Sequence, residues 1–292
     1  MAFAALSIIW GIPYFFVKLA VAELSPQLVA FVRVGLAACI LVPIAWKRGA
    51  LPRLRTHGGA LVAFALVEFA VPFAAISAGE QWISSSVTGI LIATVPMWVV
   101  LLSRSFGVHE HLGARRLAGF ALGFIGVVVL MGFGASFGLQ GWAGVACMIV
   151  AAVGYAMGPL IIQRHLSDLD ALGAVAACLT IATAVLLVPA LFALPAHAPS
   201  ATAIAAIAVL GILCTALAML LMFYLVNHAG ASRATLITYI NPAVASLLGV
   251  WLLDERLGAG GIAGFASILL GSWLATRGAA PKQPVAKLAE ER

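Results

Sequence analysis

The sequence is poor in charged residues. Asp, Glu, Lys and Arg make up 9% of its 292 residues, whereas apolar residues make up 64% and the mean hydropathy is +1.14. A soluble domain of this length cannot bury so large an apolar fraction, so the composition excludes a soluble protein and indicates one that crosses a membrane several times. The lipid bilayer is therefore the first expected partner.

The little charge that is present is mainly positive, and the net charge is +6. In a soluble chain this excess would indicate a nucleic-acid partner. Here the basic residues cluster in short loops between apolar stretches, which indicates membrane topology and no nucleic-acid binding.

Groups that bind metals or perform catalysis are also scarce. His109 and His111 lack the His-Glu-x-x-His spacing of a zinc protease. The cysteines fall in separate apolar stretches, without the close spacing of a zinc site or a disulfide framework; they are Cys39, Cys147, Cys178 and Cys214. We therefore expect no metal, no cofactor, no catalytic residues and no enzymatic activity.

Apolar stretches occupy most of the chain. A membrane-spanning helix needs about 20 mostly apolar residues. Glycine, proline and charge divide the sequence into ten such spans, at 2–21, 27–46, 58–78, 82–104, 114–133, 141–162, 171–193, 202–226, 231–253 and 259–277. The tail, 278–292, is polar with two prolines and is predicted to be disordered.

The basic residues predict how the spans are oriented, because Lys and Arg accumulate in cytoplasmic loops. If the N-terminus is cytoplasmic, all 16 Lys and Arg residues except Lys18, Arg33 and Arg256 lie in cytoplasmic loops or in the tail. We predict that both termini are cytoplasmic.

One segment of the sequence occurs two times. Residues 110–126, EHLGARRLAGFALGFIG, return at 255–271 as ERLGAGGIAGFASILLG, with nine of seventeen positions identical, and Pro96 corresponds to Pro242 upstream. The repeat pairs spans four and five with nine and ten, and an odd offset of five spans inverts the second copy. The predicted fold is therefore an all-α polytopic membrane protein with ten transmembrane helices in two inverted five-helix repeats, 1–133 and 134–277, typical of secondary transporters.

Several segments, taken in order, resemble a known family. SIIWGIPYFFVKLA, LSPQLVAFVRVGLAA and VTGILIATVPMWVVLLS, together with both Glu-x-Leu-Gly repeats, resemble EamA-type members of the drug/metabolite transporter superfamily over residues 4–277. The resemblance implies ten helices in two inverted halves and, for most bacterial members, export of amino acids or other small metabolites across the inner membrane. Aromatic amino-acid exporters are the best-known example. The second half departs from the pattern, because Val153-Gly154-Tyr155 stands where a tryptophan matching Trp10 is expected.

Glu68 lies at the centre of the third span, where an ionised carboxylate is costly unless it is paired, hydrated or protonated. Pro72 leaves the Glu68 carbonyl without its intrahelical donor, so the helix is predicted to bend there. Glu68 either binds a substrate ammonium group, carries a coupling proton, or ties two helices together in its protonated form.

Two basic residues lie inside the first two spans. Lys18 is about one turn from the outer end of its helix and is expected to reach the lipid headgroups. Arg33 lies deeper. It could pair with Glu23 or Glu68, attract a substrate carboxylate, or also reach the headgroups.

Aromatic residues share a face of the first helix. Trp10 and Tyr14 follow Ser7 at helical spacing and are predicted to line a pocket for an apolar substrate, with helix packing as the alternative. Tyr155, in span six, is predicted to act in the same way.

Prolines mark further candidate hinges or gates. Pro96 and Pro242 free carbonyls in spans four and nine, as Pro72 does in span three. Thr238 and Asn241 precede Pro242 and either bind polar groups of the substrate or form interhelical hydrogen bonds.

Two further expectations concern structure alone. Glu110 and Glu255 are expected to cap the helices that they open, spans five and ten. The glycines of span five are expected to permit close helix packing; they are Gly119, Gly123 and Gly126.

Together these features predict a carrier that works by alternating access, with a cavity enclosed by helices one, three and four and by six, eight and nine. The expected substrate is a neutral or zwitterionic metabolite, most favourably a neutral or aromatic amino acid. The alternative is a carrier of drugs, toxic compounds, nucleobases or nucleosides. The expected partners are this substrate and either a proton or a counter-substrate, and the chain is expected to be a monomer.

Overall fold

The computed structural model describes residues 2–51, 57–106, 113–132, 138–229, 237, 240–255 and 258–276, and this part of the chain contains helices and no strand. The helices are α1 (Ala2–Ile9), α2 (Pro13–Val21), α3 (Pro26–Lys47), α4 (Gly58–Gly79), α5 (Ser85–Ile92), α6 (Val95–Ser103), α7 (Ala114–Gly132), α8 (Leu139–Leu166), α9 (Ala171–Leu191), α10 (Ala201–Gly211, Ile212–Leu217 and Ala218–Ala229), α11 (Asn241–Leu252) and α12 (Ala259–Thr276).

Seven helices of the described chain are long and apolar enough to cross a membrane. Two of them are interrupted helices, α1 with α2 and α5 with α6; the others are α3, α4, α8, α9 and α10. Shorter apolar stretches lie within α7, α11 and α12, inside predicted spans five, nine and ten. The all-helical, multi-span character predicted from composition is confirmed.

The outer surface of the helices is apolar. Large side chains such as Val128 (68% exposed) and Trp251 (78% exposed) project from the bundle. Contiguous apolar surface of this kind is unfavourable in water and is matched by lipid.

Glycine allows the two copies of the sequence repeat to touch. Helices α7 and α12 pack against each other, and a methyl group at Gly126 would lie 2.8 Å from Ile268 N and 2.9 Å from Gly264 O. Gly271 lies just as close to the backbone of Gly119 and Gly123. The prediction that the glycines of span five permit close packing is confirmed.

The helices are interrupted where proline removes a donor. Pro13 opens α2 after a break at 10–12, and Pro96 follows the break at 93–94 between α5 and α6. The bend predicted near Pro72 takes the form of a π-helical turn, Ala65–Ala70, in which Val71 N–H donates to Leu66 O. A second π-helical turn, Ile212–Leu217, lies in α10. These irregular segments surround the candidate site.

Candidate functional site

A cavity lies among the interrupted helices. Six of the predicted site residues line it together: Trp10, Tyr14, Arg33, Glu68, Tyr155 and Asn241. Thr238 lies outside the described residues. Much of the remaining lining is apolar, and includes Val17, Phe73, Ile76, Ile92, Met219 and Met222.

Trp10 lies at the break in the first span. Gly11 N–H donates to Ile8 O, so the helix tightens and then stops before Pro13. The Trp10 ring donates through Nε1 to Cys214 O at 3.3 Å. Cys214 belongs to the π-helical turn of α10, and such turns leave carbonyls free for bonds outside their own helix. The two irregular segments therefore hold the indole at the cavity wall.

Asn241 joins the same break to α11. With its amide nitrogen turned toward two carbonyls, Asn241 donates to Ser7 O and to Ile237 O, each at 3.0 Å. Ser7 O is available because Gly11 N–H, its usual helical donor, binds Ile8 O instead. Asn241 therefore forms an interhelical hydrogen bond, which is one of the two roles predicted for it from the sequence. It also lines the cavity.

Arg33 is 5% exposed. Its Nε donates to Thr215 Oγ1 at 2.8 Å, and its guanidinium carbon lies 3.7 Å from the centroid of the Phe73 ring. Among the described residues no carboxylate forms an ion pair with it. Glu23 binds Ser200 instead, so the proposed Arg33–Glu23 pair is not formed.

Glu68 is also 5% exposed and lies in the π-helical turn of α4. Its Oε2 accepts no hydrogen bond from the described residues. The backbone of α8 covers this atom, since a methyl group at Gly158 would collide with Glu68 Oε2. The alternative in which Glu68 ties two helices together is therefore not supported by a hydrogen bond in the described chain.

The three predicted hinge prolines lie in helices that contribute other residues to the cavity lining. Pro72 and Pro96 follow the π-helical turn of α4 and the break between α5 and α6, and Pro242 lies in the first turn of α11. Pro72 and Pro96 therefore lie where a helix restarts after irregular backbone, and Pro242 lies at the beginning of its helix.

Lys18 binds backbone carbonyls near the end of its helix. Its Nζ donates to Glu80 O at 2.5 Å and to Ile83 O at 2.9 Å. These carbonyls belong to the turn between α4 and α5, so this turn holds the ammonium group.

Glu80, in the same turn, is a residue that the sequence analysis missed. It is 0% exposed, and neither of its carboxylate oxygens accepts a hydrogen bond from the described residues. Burial raises the pKa of the Glu80 carboxyl well above its usual range, and the nearby Lys18 ammonium opposes that shift. A Glu at the end of an apolar span is ordinarily exposed, so the sequence carries no signal of this burial.

The expectation that Glu255 caps its own helix is wrong. Its carboxylate crosses to α5, where Oε1 accepts from Ser85 N at 2.7 Å and Ser85 Oγ at 2.8 Å. Its Oε2 accepts from Ser86 N at 3.0 Å and from Ser86 Oγ. The turn after α11 directs the carboxylate to the N-terminus of α5, where the helix dipole favours a negative charge. Glu110 lies outside the described residues.

Comparison with known proteins agrees with this architecture. The model of the EamA-like transporter family matches residues 1–132 and 142–277. The chain is 30% identical over 263 residues to the uncharacterized inner membrane transporter YedA of Escherichia coli K12, covering 88% of this chain and 83% of that protein.

Two more distant relatives cover almost the whole chain. An uncharacterized transporter of Archaeoglobus fulgidus is 28% identical, covering 92% of this chain and 95% of its own length. The uncharacterized transporter YoaV of Bacillus subtilis is 22% identical, with 93% and 94% covered.

One solved crystal structure superposes with a TM-score of 0.68 and covers 94% of this chain and 95% of its own, at 18% identity. At that identity the likeness concerns the fold alone. Because the family model matches nearly the entire apolar part of the sequence, the chain belongs to the EamA-like transporter family and is a multi-pass membrane transporter.

Proposed function

We propose that the protein is a secondary carrier that exports small zwitterionic metabolites, most favourably neutral or aromatic amino acids, from the bacterial cytoplasm across the inner membrane. The proposed substrate class rests on one observation. Arg33 and Glu68 line a single cavity, both are buried, and neither has an ion-pair partner among the described residues.

Two unpaired opposite charges in one apolar cavity are complementary to a molecule that carries both charges itself. Isolated charges in a membrane interior are expensive, and a zwitterion would neutralise both. The guanidinium is held through Nε by Thr215 and by stacking on Phe73, which leaves its terminal nitrogens to bind a carboxylate. Glu68 would accept the substrate ammonium group or carry a coupling proton.

The remaining lining indicates the side chain of the substrate. Trp10, Tyr14 and Tyr155, together with Met219 and Met222, form walls that suit an apolar or aromatic group. A highly phosphorylated substrate would need several buried cations, and the described lining contains Arg33 alone.

The mechanism that we propose is alternating access. The ten spans would form two inverted repeats, 1–133 and 134–277, that rock about the cavity and expose it to each side in turn. The interruptions near Pro72, Pro96 and Pro242 would be the hinges or gates of this motion. The sequence repeat at 110–126 and 255–271 and the packing of α7 on α12 support this arrangement.

A matched panel of compounds in proteoliposomes tests the substrate class. We expect uptake of radiolabelled phenylalanine or leucine, and loss of uptake for the amide, which lacks the carboxylate, and for the N-acetyl compound, which lacks the ammonium group. The panel is run with and without a pH gradient to detect proton coupling. Equal transport of all three forms, or of none of the amino acids, would contradict the proposal.

The apolar majority of the lining also favours a second candidate, a carrier of planar drugs or nucleobases. Such compounds lack the paired charges of a zwitterion. Uptake of a nucleobase at rates above those of every amino acid in the same liposomes would support this second candidate.

A further inference from the structure

At one end of the molecule, two carboxylates reach between the first and second halves of the chain. We call it the Glu255 end. It comprises the turns at 22–25, 80–84, 192–200 and 253–255, and the distribution of basic residues predicts that it faces away from the cytoplasm.

Glu255 makes the first of these contacts. It follows α11, in the second half, and its carboxylate accepts four hydrogen bonds from the first turn of α5, in the first half. Ser85 and Ser86, the donors, are both 0% exposed. The donors are therefore buried, and among the described residues no basic side chain forms an ion pair with Glu255.

The backbone after α11 places this carboxylate. Asp254 has a positive φ of 53°, and Glu255 N–H donates to Gly249 O at 3.1 Å, which closes the helix end. A methyl group at Gly249 would collide with Glu255 Oε2 and lie 2.5 Å from Ser86 Oγ. Gly249 therefore leaves the space in which the carboxylate meets α5.

Glu23 makes a second contact of the same kind in the opposite direction. It lies in the first half and binds the start of α10 in the second half, where Oε2 accepts from Ser200 N at 2.8 Å and Oε1 from Ser200 Oγ at 2.6 Å. These hydrogen bonds lower the pKa of Glu23 below its ordinary value, so it stays ionised at neutral pH. Ser25 Oγ, beside it, donates to Ala193 O at 2.7 Å.

We infer that Glu255 and Glu23 are the gate residues of the carrier: each holds the N-terminus of a helix from the other half, and together they keep the Glu255 end closed. This inference rests on the proposed alternating access. Both are positioning residues, because they act on the two halves of the protein and do not line the cavity.

The position of the cavity agrees with this role. Val17 lines the cavity, and the next residue, Lys18, binds the carbonyl of the fully buried Glu80 in the turn 80–84 of the Glu255 end. For substrate to leave at this end, the halves must separate there, which requires both carboxylates to release their helices. At the opposite end of the molecule, His57 Nε2 lies 3.3 Å from Asp168 Oδ2. The Asp168 side chain is 66% exposed, so this contact, unlike the Ser85 and Ser86 donors that bind Glu255, is open to solvent.

Cysteine accessibility tests the gate without knowledge of the substrate. Val17→Cys is introduced into the full-length protein, and intact cells are treated with a membrane-impermeant maleimide. The Glu23→Gln/Glu255→Gln double variant is compared with the parent, and each labelling rate is corrected by the same protein without the introduced cysteine. We expect labelling from outside to rise by at least about fivefold, the lower range of measured conformational coupling.

A second variant opens the gate without removing a polar group. Gly249→Ala displaces Glu255 by steric conflict, and thermal unfolding of the variant is measured alongside so that a general loss of stability by overpacking is recognised. It should raise labelling in the same direction. The conservative Glu255→Asp variant should recover part of the parental protection.

A control separates gating from general loss of stability. Asp170 caps α9 by accepting from Gly173 N, and it lies outside the Glu255 end. Asp170→Ala removes a helix cap and should lower thermal stability while leaving Val17→Cys labelling unchanged.

Transport kinetics supply an independent measurement. If the gate variants favour the state open at the Glu255 end, the apparent affinity for substrate added on the other side falls in proportion to the lost population, and turnover is less affected. Unchanged labelling in both the Glu23→Gln/Glu255→Gln double variant and Gly249→Ala would overturn the gate. If labelling increases but no amino acid of the panel is transported, the gate stands and the proposed substrate class is rejected.

Discussion

At the scale of single residues, the buried charges carry most of the functional information. Arg33, Glu68 and Glu80 lie in an apolar bundle, where an uncompensated charge is costly and is retained only when it has a role. Arg33 and Glu68 line one cavity, whereas Glu80 does not line it and belongs to the turn that binds Lys18. We therefore expect their variants to affect different properties.

Replacing Glu68 by Gln should lower transport strongly and stability little. Glutamine keeps the size of the side chain but removes the charge that would hold a substrate ammonium group or a proton, and loss of one charged hydrogen bond costs about 2–5 kcal/mol of binding. We expect initial uptake in proteoliposomes to fall by more than about tenfold and to lose its pH dependence. Wild-type uptake with unchanged pH dependence would remove Glu68 from the site.

The raised pKa of Glu80 predicts that alkaline pH destabilises the protein. Because the folded state holds the proton more tightly than the unfolded state, whose carboxyl has a pKa of about 4.3, stability falls as pH rises from the unfolded pKa toward the raised folded value. Glu80→Gln should remove this contribution, so its melting temperature in detergent should exceed that of the parent more at pH 8 than at pH 5.

Glu23→Gln is the matched control for this measurement. The pKa of Glu23 is lowered, so the carboxyl stays ionised at both pH 5 and pH 8. Its contribution to the free energy of unfolding is lost only as the pH falls through that lowered pKa. Its substitution should shift the melting temperature equally at the two pH values. A Glu80→Gln shift that is also independent of pH would contradict burial of an ionisable carboxyl.

At the scale of helices, irregular backbone and glycine determine which surfaces meet. The π-helical turn of α4 presents Glu68, and that of α10 presents Thr215 to Arg33 and Cys214 O to Trp10. Glycine has the complementary effect of bringing backbones together. The α7–α12 contact depends on it most directly.

A methyl group at Gly126 should therefore destabilise the bundle. Gly126→Ala places Cβ 2.8 Å from Ile268 N, and such overpacking costs about 1–3 kcal/mol. Thermal unfolding in detergent measures the effect. Gly59→Ala is the control, because Gly59 lies in α4 with no atom within 4 Å of the added methyl and alanine is the better helix former; destabilisation equal to that of Gly126→Ala would argue against close packing of α7 on α12.

At the scale of the whole molecule, the charge pattern predicts the orientation. With both termini in the cytoplasm, a green fluorescent protein fused after residue 292 should fluoresce, and alkaline phosphatase at the same position should be inactive. Phosphatase inserted in the segment 133–138, between α7 and α8, should be active because this segment is predicted to face outward. The reverse pattern would invert the predicted direction of the Glu255 gate.

Much of the site was predictable because rare residues stand out in apolar spans. Trp10, Tyr14, Arg33, Glu68, Tyr155 and Asn241 were each named from sequence, and they line one cavity. Glu80, Phe73 and Thr215 were not named, because a glutamate at a span end, a phenylalanine and a threonine are ordinary residues in a membrane protein. Their roles depend on neighbours that are distant in the sequence.

The sequence by itself determined that the chain is helical and crosses the membrane, because hydropathy and the internal satisfaction of backbone hydrogen bonds are properties of each segment. The tertiary structure alone decided the partners. Glu255 binds Ser85 across 170 residues of chain, and Arg33 binds Thr215 across 182. No local pattern specifies such pairs, because they depend on how helices pack and where their backbone is irregular.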